Sequence, residues 1–347
     1  MPIIHKFAIR SLLLSAIVLL CSVASADKSI TVLPAEVVLQ GPESFQRLLV
    51  QQVDGEELRK QLREGVDLKS SDPKIVAVDG DTLRPVANGS AEITVKNAGM
   101  TASVKVQVAG MESPHAWSFG NHVQAVLSKA GCNSGACHGA LAGKGGLKLS
   151  LRGYDTKTDH HTLTRQARGR RIELADPGRS LLLAKPSGAL PHKGGLRFDV
   201  DSFEYRVIAE WISAGAVGPS DAEPVMDRIE ILPKLATLQP GDKQQLIVRA
   251  HYSDGHTEDV TRWAKYTSAS EAVASVDEGG ELTVMGYGEG AITAWLASNI
   301  VIARVTSPYA NEVANEVYEK APKRNFIDEL VTKQLRRLNL PPSPPAS

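Results

Sequence analysis

The stretch "IEILPKLATLQPGDKQQLIVR" (residues 229–249) repeats, in altered form, the stretch "ITVLPAEVVLQGPESFQRLLVQ" (residues 30–51). Leu33-Pro34 and Leu39-Gln40 of the earlier copy correspond to Leu232-Pro233 and Leu238-Gln239 of the later copy, at one constant displacement. Two stretches this similar are expected to fold in the same way. The repeat therefore predicts two copies of one domain, separated by a different middle segment.

Both copies continue with short runs of alternating apolar and polar residues, which Gly, Asp, Asn and Pro interrupt at intervals. This pattern is typical of the antiparallel strands of a β-sandwich. In "YSDGHTEDVT" (residues 252–261), Asp254-Gly255 stands between two strand-like runs, as in a tight hairpin turn. Each copy is therefore predicted to be an all-β sandwich.

The later copy resembles the group 2 bacterial immunoglobulin-like domains over residues 228–307. The stretches "YSDGHTEDVT" and "VASVDEGGELTVMGYGEGAITA" (residues 273–294) carry that resemblance. Residues 28–109 resemble the same family less closely, because "VDGEELRKQLREGVDL" (residues 53–68) replaces the hairpin with a partly helical pattern. The resemblance implies immunoglobulin-like sandwiches over residues 27–110 and 226–308. Such sandwiches serve as spacers or adhesive modules that contact a cell-surface protein or polysaccharide.

The first 26 residues have the pattern of a signal peptide. Lys6 and Arg10 precede the apolar run "SLLLSAIVLLCSVA", and Ala24-Ser25-Ala26 supplies small residues for cleavage. The run is short for a bilayer, so a retained anchor is the weaker alternative, and no membrane span is expected after cleavage. The protein is therefore predicted to be exported, to the periplasm or the cell surface.

The composition is that of a globular protein of two or three domains. The chain has 347 residues, of which 42% are hydrophobic and 22% charged. Its formal net charge is zero, and removal of Lys6 and Arg10 with the signal peptide would leave −2. Charge of this size does not point to nucleic acid as a partner.

The middle segment, residues 112–222, is predicted to be mainly α-helical. "FGNHVQAVLSKAG" (residues 119–131) places Val123, Val126 and Leu127 on one helical face. "DSFEYRVIAEWISAG" (residues 201–215) has a wide apolar stripe, with Asp201 and Glu204 as a capping-box-like pair. Two helices are therefore expected near the ends of the segment.

The stretch "AGCNSGACHG" (residues 130–139) holds both cysteines that remain after signal cleavage. Its pattern is that of a covalent haem attachment site, in which two thiols bind the porphyrin and the histidine binds iron. Four residues separate Cys132 from Cys137, instead of the usual two. A disulfide, a zinc clamp and a redox-active thiol pair are the rival interpretations of these residues.

The middle segment resembles the cytochrome-c-like domain of large exported planctomycete proteins, which place it beside immunoglobulin-like domains. "GCNSGACHGALAGKGGLKLSLRGYD", "ADPGRSLLLAKPSGALPHKGG" and "FEYRVIAEWISAGA" carry the resemblance. It implies one covalent haem c on Cys132 and Cys137, with His138 as the proximal iron ligand. His192, in "ALPHKGG" where a methionine is expected, is then the candidate distal ligand. The implied function is electron transfer with an unidentified redox partner.

Residues 309–347 are predicted to be a linker and an amphipathic helix that begins at the asparagine cap Asn325. By the planctomycete resemblance, this helix opens a truncated C-terminal domain. No set of residues in the chain resembles a hydrolase site, and no catalytic residue is assigned. The alternative function is a cell-surface adhesion or scaffold protein, whose middle domain is closed by a disulfide and binds no cofactor.

Overall fold

The computed structural model describes residues 29–55 and 57–343, and the predicted signal peptide lies outside these residues. The described residues begin with a sandwich of ten strands. They are β1 (Ser29–Leu33), β2 (Glu36–Gln40), β3 (Gln46–Arg47), β4 (Leu49–Asp54), β5 (Glu57–Leu62), β6 (Asp67–Ser70), β7 (Val76–Asp79), β8 (Thr82–Pro85), β9 (Gly89–Asn97) and β10 (Met100–Ala109).

A second sandwich of ten strands follows the middle segment. They are β11 (Met226–Leu232), β12 (Leu235–Thr237), β13 (Lys243–Gln245), β14 (Ile247–Tyr252), β15 (Thr257–Asp259), β16 (Lys265–Ser268), β17 (Ala274–Val276), β18 (Glu281–Val284), β19 (Gly288–Leu296) and β20 (Asn299–Ser307).

The two sandwiches have the same strand order. In the first, the sheets run β1-β4-β5, β2-β10-β9-β6 and β3-β8-β7; in the second, they run β11-β14-β15, β12-β20-β19-β16 and β13-β18-β17. Each has one parallel pair, β2 with β10 and β12 with β20. The Leu33-Pro34 and Leu232-Pro233 peptide bonds are both cis. The sequence repeat is thus a repeat of topology, strand for strand.

Alternation along the strands sets the faces of each sandwich. In β10 and β9, the inward residues Val104, Val106, Ile93 and Val95 are buried, while their chain neighbours face outward. This is the period-two pattern of a strand with one face in a core. The predicted hairpin at Asp254-Gly255 joins β14 to β15.

The stretch of residues 53–68 does not contain the expected helix. It forms the end of β4, the strand β5 and the start of β6. Strand β5 pairs with β4, and the Gln61 side chain is buried against the second sandwich, where it accepts a hydrogen bond from Gln245 N at 2.7 Å. Tertiary pairing therefore overrides the helical propensity of these residues.

The prediction of a mainly α, cytochrome-c-like middle domain is wrong. Four short α-helices stand in this segment among irregular loops. Of the residues that the structure describes, 34% lie in strands, which form six small sheets, and 21% lie in helices. Glycine explains why the helices are short: Gly131, with φ of 77°, follows the end of the first helix, and a long irregular, glycine-rich loop comes next. The helices are α1 (Gln124–Lys129), α2 (Thr156–Thr164), α3 (Leu181–Ala184) and α4 (Phe203–Ser213).

The N-cap of helix α4 lies one residue later than predicted. The Ser202 hydroxyl accepts a hydrogen bond from Tyr205 N at 3.1 Å, so Ser202 and not Asp201 caps the helix. Its apolar face contains Val207, Ile208 and Trp211, all buried in the core. The predicted stripe is thus correct although the predicted cap is not.

The hydrophobic cores divide the molecule unevenly. One cluster of buried side chains is continuous from the middle segment into the second sandwich, from Trp211 and Phe119 to Leu282 and Ile292. The first sandwich has a separate cluster, which includes Leu83 and Ile93. The middle segment therefore shares its buried core with the second sandwich, while the first sandwich adds the half-buried Leu58 against that core.

The first sandwich joins the rest of the molecule mainly through polar contacts. The buried Asp259 of the second sandwich accepts hydrogen bonds from Gln46 Nε2 and Arg47 N, both at 3.1 Å. Arg206 of α4 donates two hydrogen bonds to Glu43, at 3.0 and 2.6 Å. These contacts connect all three parts of the molecule.

Two helices, α5 (Asn315–Glu319) and α6 (Phe326–Arg337), follow the second sandwich. Asn325 caps α6 by accepting from Ile327 N, and Asp328 accepts from Asn325 N in return. In residues 29–55 and 57–343, no helix is long and apolar enough to cross a membrane.

Candidate functional site

The loop that carries both cysteines is closed by backbone hydrogen bonds. His138 N donates to Cys132 O at 2.9 Å, and Leu149 N donates to His138 O at 2.8 Å. Gly139 is needed at the next position, because a Cβ there would lie 2.1 Å from Asn133 O. The fold therefore fixes the backbone on both sides of Cys137 and His138.

The two cysteines are free thiols in different environments. Cys132 is buried in the shared core, and burial raises the pKa of its thiol to about 11. Cys137 is half-buried, and its Sγ lies 3.8 Å from Arg197 Nη2. Because only a thiolate is an effective nucleophile, the raised pKa makes the Cys132 thiol unreactive near neutral pH.

The two histidines predicted to bind iron lie side by side. The Nδ1 of His138 is 3.1 Å from Lys144 O and 3.2 Å from Leu147 O, and the Nδ1 of His192 is 3.0 Å from Gly195 O. Their rings are nearly parallel, at 9°, with centroids 6.3 Å apart. Burial lowers the pKa of His138, so this ring is favoured in its neutral form.

These four side chains meet the requirements of a covalent haem only in part. The histidines lie close to each other and are held through Nδ1, as iron ligands are, but the Cys132 thiol lies in the core instead of at an open face. The assignment of haem c to Cys132, Cys137, His138 and His192 stays a prediction.

The wider expectation of a metal-binding, electron-transferring cytochrome is wrong. Within the part of the chain that the structure describes, no group of three or more His, Cys, Asp or Glu side chains is placed to hold a metal ion. The segment around the cysteines also lacks the mainly helical fold that this expectation required.

A cluster of cations surrounds the cysteine loop, and sequence analysis did not find it. Arg197 Nη1 and Lys265 Nζ lie 4.0 and 3.6 Å from the position that a Cβ would take on Gly131. The Arg152 guanidinium lies 4.0 Å from the centre of the Trp295 ring. Burial, together with repulsion from Arg197 and Arg152, lowers the pKa of Lys265. The three cations are far apart in the sequence, so no motif announces them.

A small cavity of about 30 Å³ lies where the three parts of the molecule meet, with His122, Glu258 and Trp263 in its wall. Ser118 N donates to His122 Nδ1 at 3.0 Å, and His122 Nε2 lies 3.4 Å from Glu258 Oε2. Burial opposes the ionisation of Glu258, but hydrogen bonds from His122, His256 and Tyr252 hold its pKa well below the usual range. A cavity of this size has room for a water molecule.

Comparison with known proteins gives no family. No protein-family model matches this chain. No curated protein is similar to it in sequence either.

Several solved structures superpose weakly on the chain. Domains 5–6 of the S-layer protein SbsC are 13% identical, with a TM-score of 0.31, over 81% of this chain and 98% of theirs. The S-layer protein rSbsC(31-844) is 12% identical, with a TM-score of 0.22, over 84% of this chain and 29% of its own. An intimin mutant of EHEC O157:H7 is 15% identical, with a TM-score of 0.18, over 32% of this chain and 68% of its own.

The fold corrects the planctomycete resemblance. The described residues are mostly β-sheet, and no group of three or more His, Cys, Asp or Glu side chains among them is placed to hold a metal ion. The resemblance to an exported protein with a cytochrome-c-like haem domain is therefore wrong. At TM-scores below 0.5, the similarity establishes neither a family nor a function for this chain.

Proposed function

We propose that this protein is an exported scaffold or adhesion protein of the periplasm or cell surface, in which two β-sandwiches are held in a fixed arrangement. The observation that carries the proposal is the polar and stacked junction of the three parts. There, the Asp259 carboxylate accepts hydrogen bonds from the Gln46 side chain and the Arg47 backbone of the first sandwich. A protein that positions binding surfaces needs such fixed geometry between its modules.

One stacked cation, Arg262, strengthens the same junction. The Arg262 guanidinium lies 4.4 Å from the centre of the Phe45 ring and 4.1 Å from that of Phe203. Phe45 belongs to the first sandwich, Arg262 to the second, and Phe203 to α4. A guanidinium between two aromatic rings restrains both, by roughly 0.5–1 kcal/mol for each exposed contact.

The arrangement leaves an apolar strip on the outer face of the second sandwich. Ile300 and Ile302 of β20 are 52% and 48% exposed, and both point away from the core. Exposed apolar residues at alternate positions of one strand form a contiguous contact surface. This strip supports a protein contact as one of the adhesive surfaces.

The proposal differs in one respect from the alternative drawn from sequence. Both described cysteines are free, so the middle segment is closed by the backbone hydrogen bonds of its loop and by its core, without a disulfide. The scaffold function therefore does not depend on oxidation of Cys132 and Cys137.

Sedimentation of the mature chain with cell envelopes of the source organism tests the proposal. We expect the chain to sediment with envelopes, and the double variant Ile300→Ser/Ile302→Ser to bind at least severalfold more weakly. Leu141→Ser is the matched control, because Leu141 is 90% exposed but lies on the cysteine loop.

Two results would contradict the scaffold function. One is that the chain stays in the supernatant in every experiment, whichever envelope preparation is sedimented. The other is haem mass on the peptide of Cys132 and Cys137 in protein matured by a cytochrome c maturation system, because a bound haem would make electron transfer the better account.

A further inference from the structure

We infer that Arg152, Arg197 and Lys265 form a binding site for an oxyanion, whose expected source is a carboxylate group of an acidic polysaccharide. The inference deepens the proposed scaffold function and rests on it for the source of the ligand. The residues come from two parts of the molecule, since Arg152 and Arg197 belong to the middle segment and Lys265 to β16.

The cations converge without a counter-charge. In residues 29–55 and 57–343, no carboxylate lies within 4.0 Å of the charged groups of Arg152, Arg197 or Lys265. Arg63 and Arg206, by comparison, are each paired with a carboxylate. The positive charges of Arg197 and Arg152 repel that of Lys265, and a bound anion would relieve that repulsion.

The backbone holds Arg152 in an unusual conformation. Arg152 has φ of 57°, in the left-handed region that costs a residue with a side chain about 1 kcal/mol or more. Its backbone N donates to Asn133 O at 3.1 Å, which ties it to the cysteine loop. This conformation places the guanidinium over the Trp295 ring.

An unpaired buried donor accompanies the cations. Trp295 Nε1 is buried and has no hydrogen-bond partner in the described structure. A guanidinium that stacks on an indole ring keeps its N–H groups pointing outward in its own plane. There they can donate hydrogen bonds to a carboxylate. A guanidinium binds a carboxylate through two N–H groups, and the uronic-acid units of an acidic polysaccharide supply such carboxylates.

Binding of polygalacturonate to the mature chain tests this site at low ionic strength. We expect Arg152→Gln, Arg197→Gln and Lys265→Gln each to weaken binding by roughly fivefold, as expected for exposed ion pairs. The triple variant should lose roughly a hundredfold, if the effects multiply. Arg165→Gln and Arg170→Gln are the matched controls, because both arginines are exposed but lie on another loop.

A second readout locates the ligand. Cys137 lies beside Arg197, so bound polygalacturonate should slow alkylation of Cys137, and half-maximal protection should need roughly fivefold more polygalacturonate in Arg197→Gln than in the wild type. Inorganic sulfate is the comparison ligand: protection by polygalacturonate alone identifies a glycan, and equal protection by sulfate identifies a free oxyanion. Absence of binding by both, equal losses in the control variants, or a triple variant that binds like the wild type would overturn the site.

The envelope experiment separates this site from the scaffold function. If the wild type sediments with envelopes but polygalacturonate neither binds it nor protects Cys137, the scaffold function stands and the site is wrong. If neither sediments but polygalacturonate still protects Cys137 in an Arg197-dependent manner, the site stands and the scaffold function is wrong.

Discussion

The two sandwiches have one strand order but are attached to the molecule in two ways. The second shares a continuous apolar core with the middle segment, and the first has a core of its own and is attached mainly through polar contacts. Apolar attachment depends on area removed from water, whereas polar attachment depends on pH and salt. A repeat in the sequence therefore predicts the fold of each copy but not how each copy is joined.

The contacts at the two boundaries make the difference concrete. Between the middle segment and the second sandwich, the ring centres of His122 and Trp263 lie 5.4 Å apart, and those of Phe203 and Trp263 lie 6.4 Å apart. Between the middle segment and the first sandwich, the Arg206–Glu43 ion pair is the principal polar contact. The following predictions test this difference, in order of expected size.

Truncation of Trp211 should have the largest effect. Trp211 is 1% exposed in the shared core, so Trp211→Ala should destabilise the middle segment and the second sandwich together by about 3–5 kcal/mol. Differential scanning calorimetry of the mature chain should show their common transition moving to lower temperature. Leu83→Ala is the control, because Leu83 is fully buried in the first core and should move a different transition. The shared core is refuted if both variants move the same transition.

Removal of the buried carboxylate at the junction should have the next largest effect. Asp259→Ala leaves Gln46 Nε2 and Arg47 N without their acceptor, which should cost about 2 kcal/mol. Urea unfolding should show the loss, and Asp259→Asn, which keeps one acceptor oxygen, should lose less. An Asp259→Ala protein as stable as the wild type would mean that these hydrogen bonds of the junction contribute nothing to stability.

The Arg206–Glu43 pair should make the first attachment sensitive to acid. The hydrogen bond and charge of Arg206 hold the pKa of Glu43 below its ordinary value of 4.5. A carboxylate with a lowered pKa in the folded state stabilises that state above pH 4.5, and this contribution is lost as pH falls through the folded pKa.

Glu43→Gln should accordingly remove about 1 kcal/mol at neutral pH and nothing at pH values below the folded pKa. Hydrogen exchange of β2 and β3 at several pH values measures the effect. A loss of the same size at every pH would contradict the assignment of this carboxylate.

The exposed pair between Arg63 and Glu281 should have the smallest effect. Arg63 Nη1 lies 2.6 Å from Glu281 Oε2 across the two sandwiches, but the Arg63 side chain is 44% exposed. Arg63→Ala should therefore cost about 0.5 kcal/mol or less in urea unfolding, and less still in high salt. A larger cost than that of Glu43→Gln would reverse the ranking of the two contacts.

The sequence predicts the sandwiches better than the middle segment. Alternating residues and the Asp254-Gly255 turn are local signals, and the strands they predict are present. The helical pattern of residues 53–68 is also local, but pairing of β5 with β4 and burial of Gln61 override it. Local patterns are reliable only where the tertiary contacts agree with them.

The candidate site lies mostly beyond the reach of sequence analysis. Cys137 and His138 are adjacent in the sequence, so their motif can be recognised without the structure. Arg152, Arg197 and Lys265 meet only after the middle segment has packed against β16, so no spacing predicts them. The burial of Cys132, which separates the chemistry of the two thiols, is likewise a result of tertiary packing.

The most direct measurement compares two fragments by hydrogen exchange. Residues 112–308, which contain the middle segment and the second sandwich, should fold cooperatively and protect the amides of α4. Residues 112–224 alone should leave these amides unprotected, because half of their core is missing. Equal protection of α4 in both fragments would show that the middle segment is an independent domain, and would contradict the shared core.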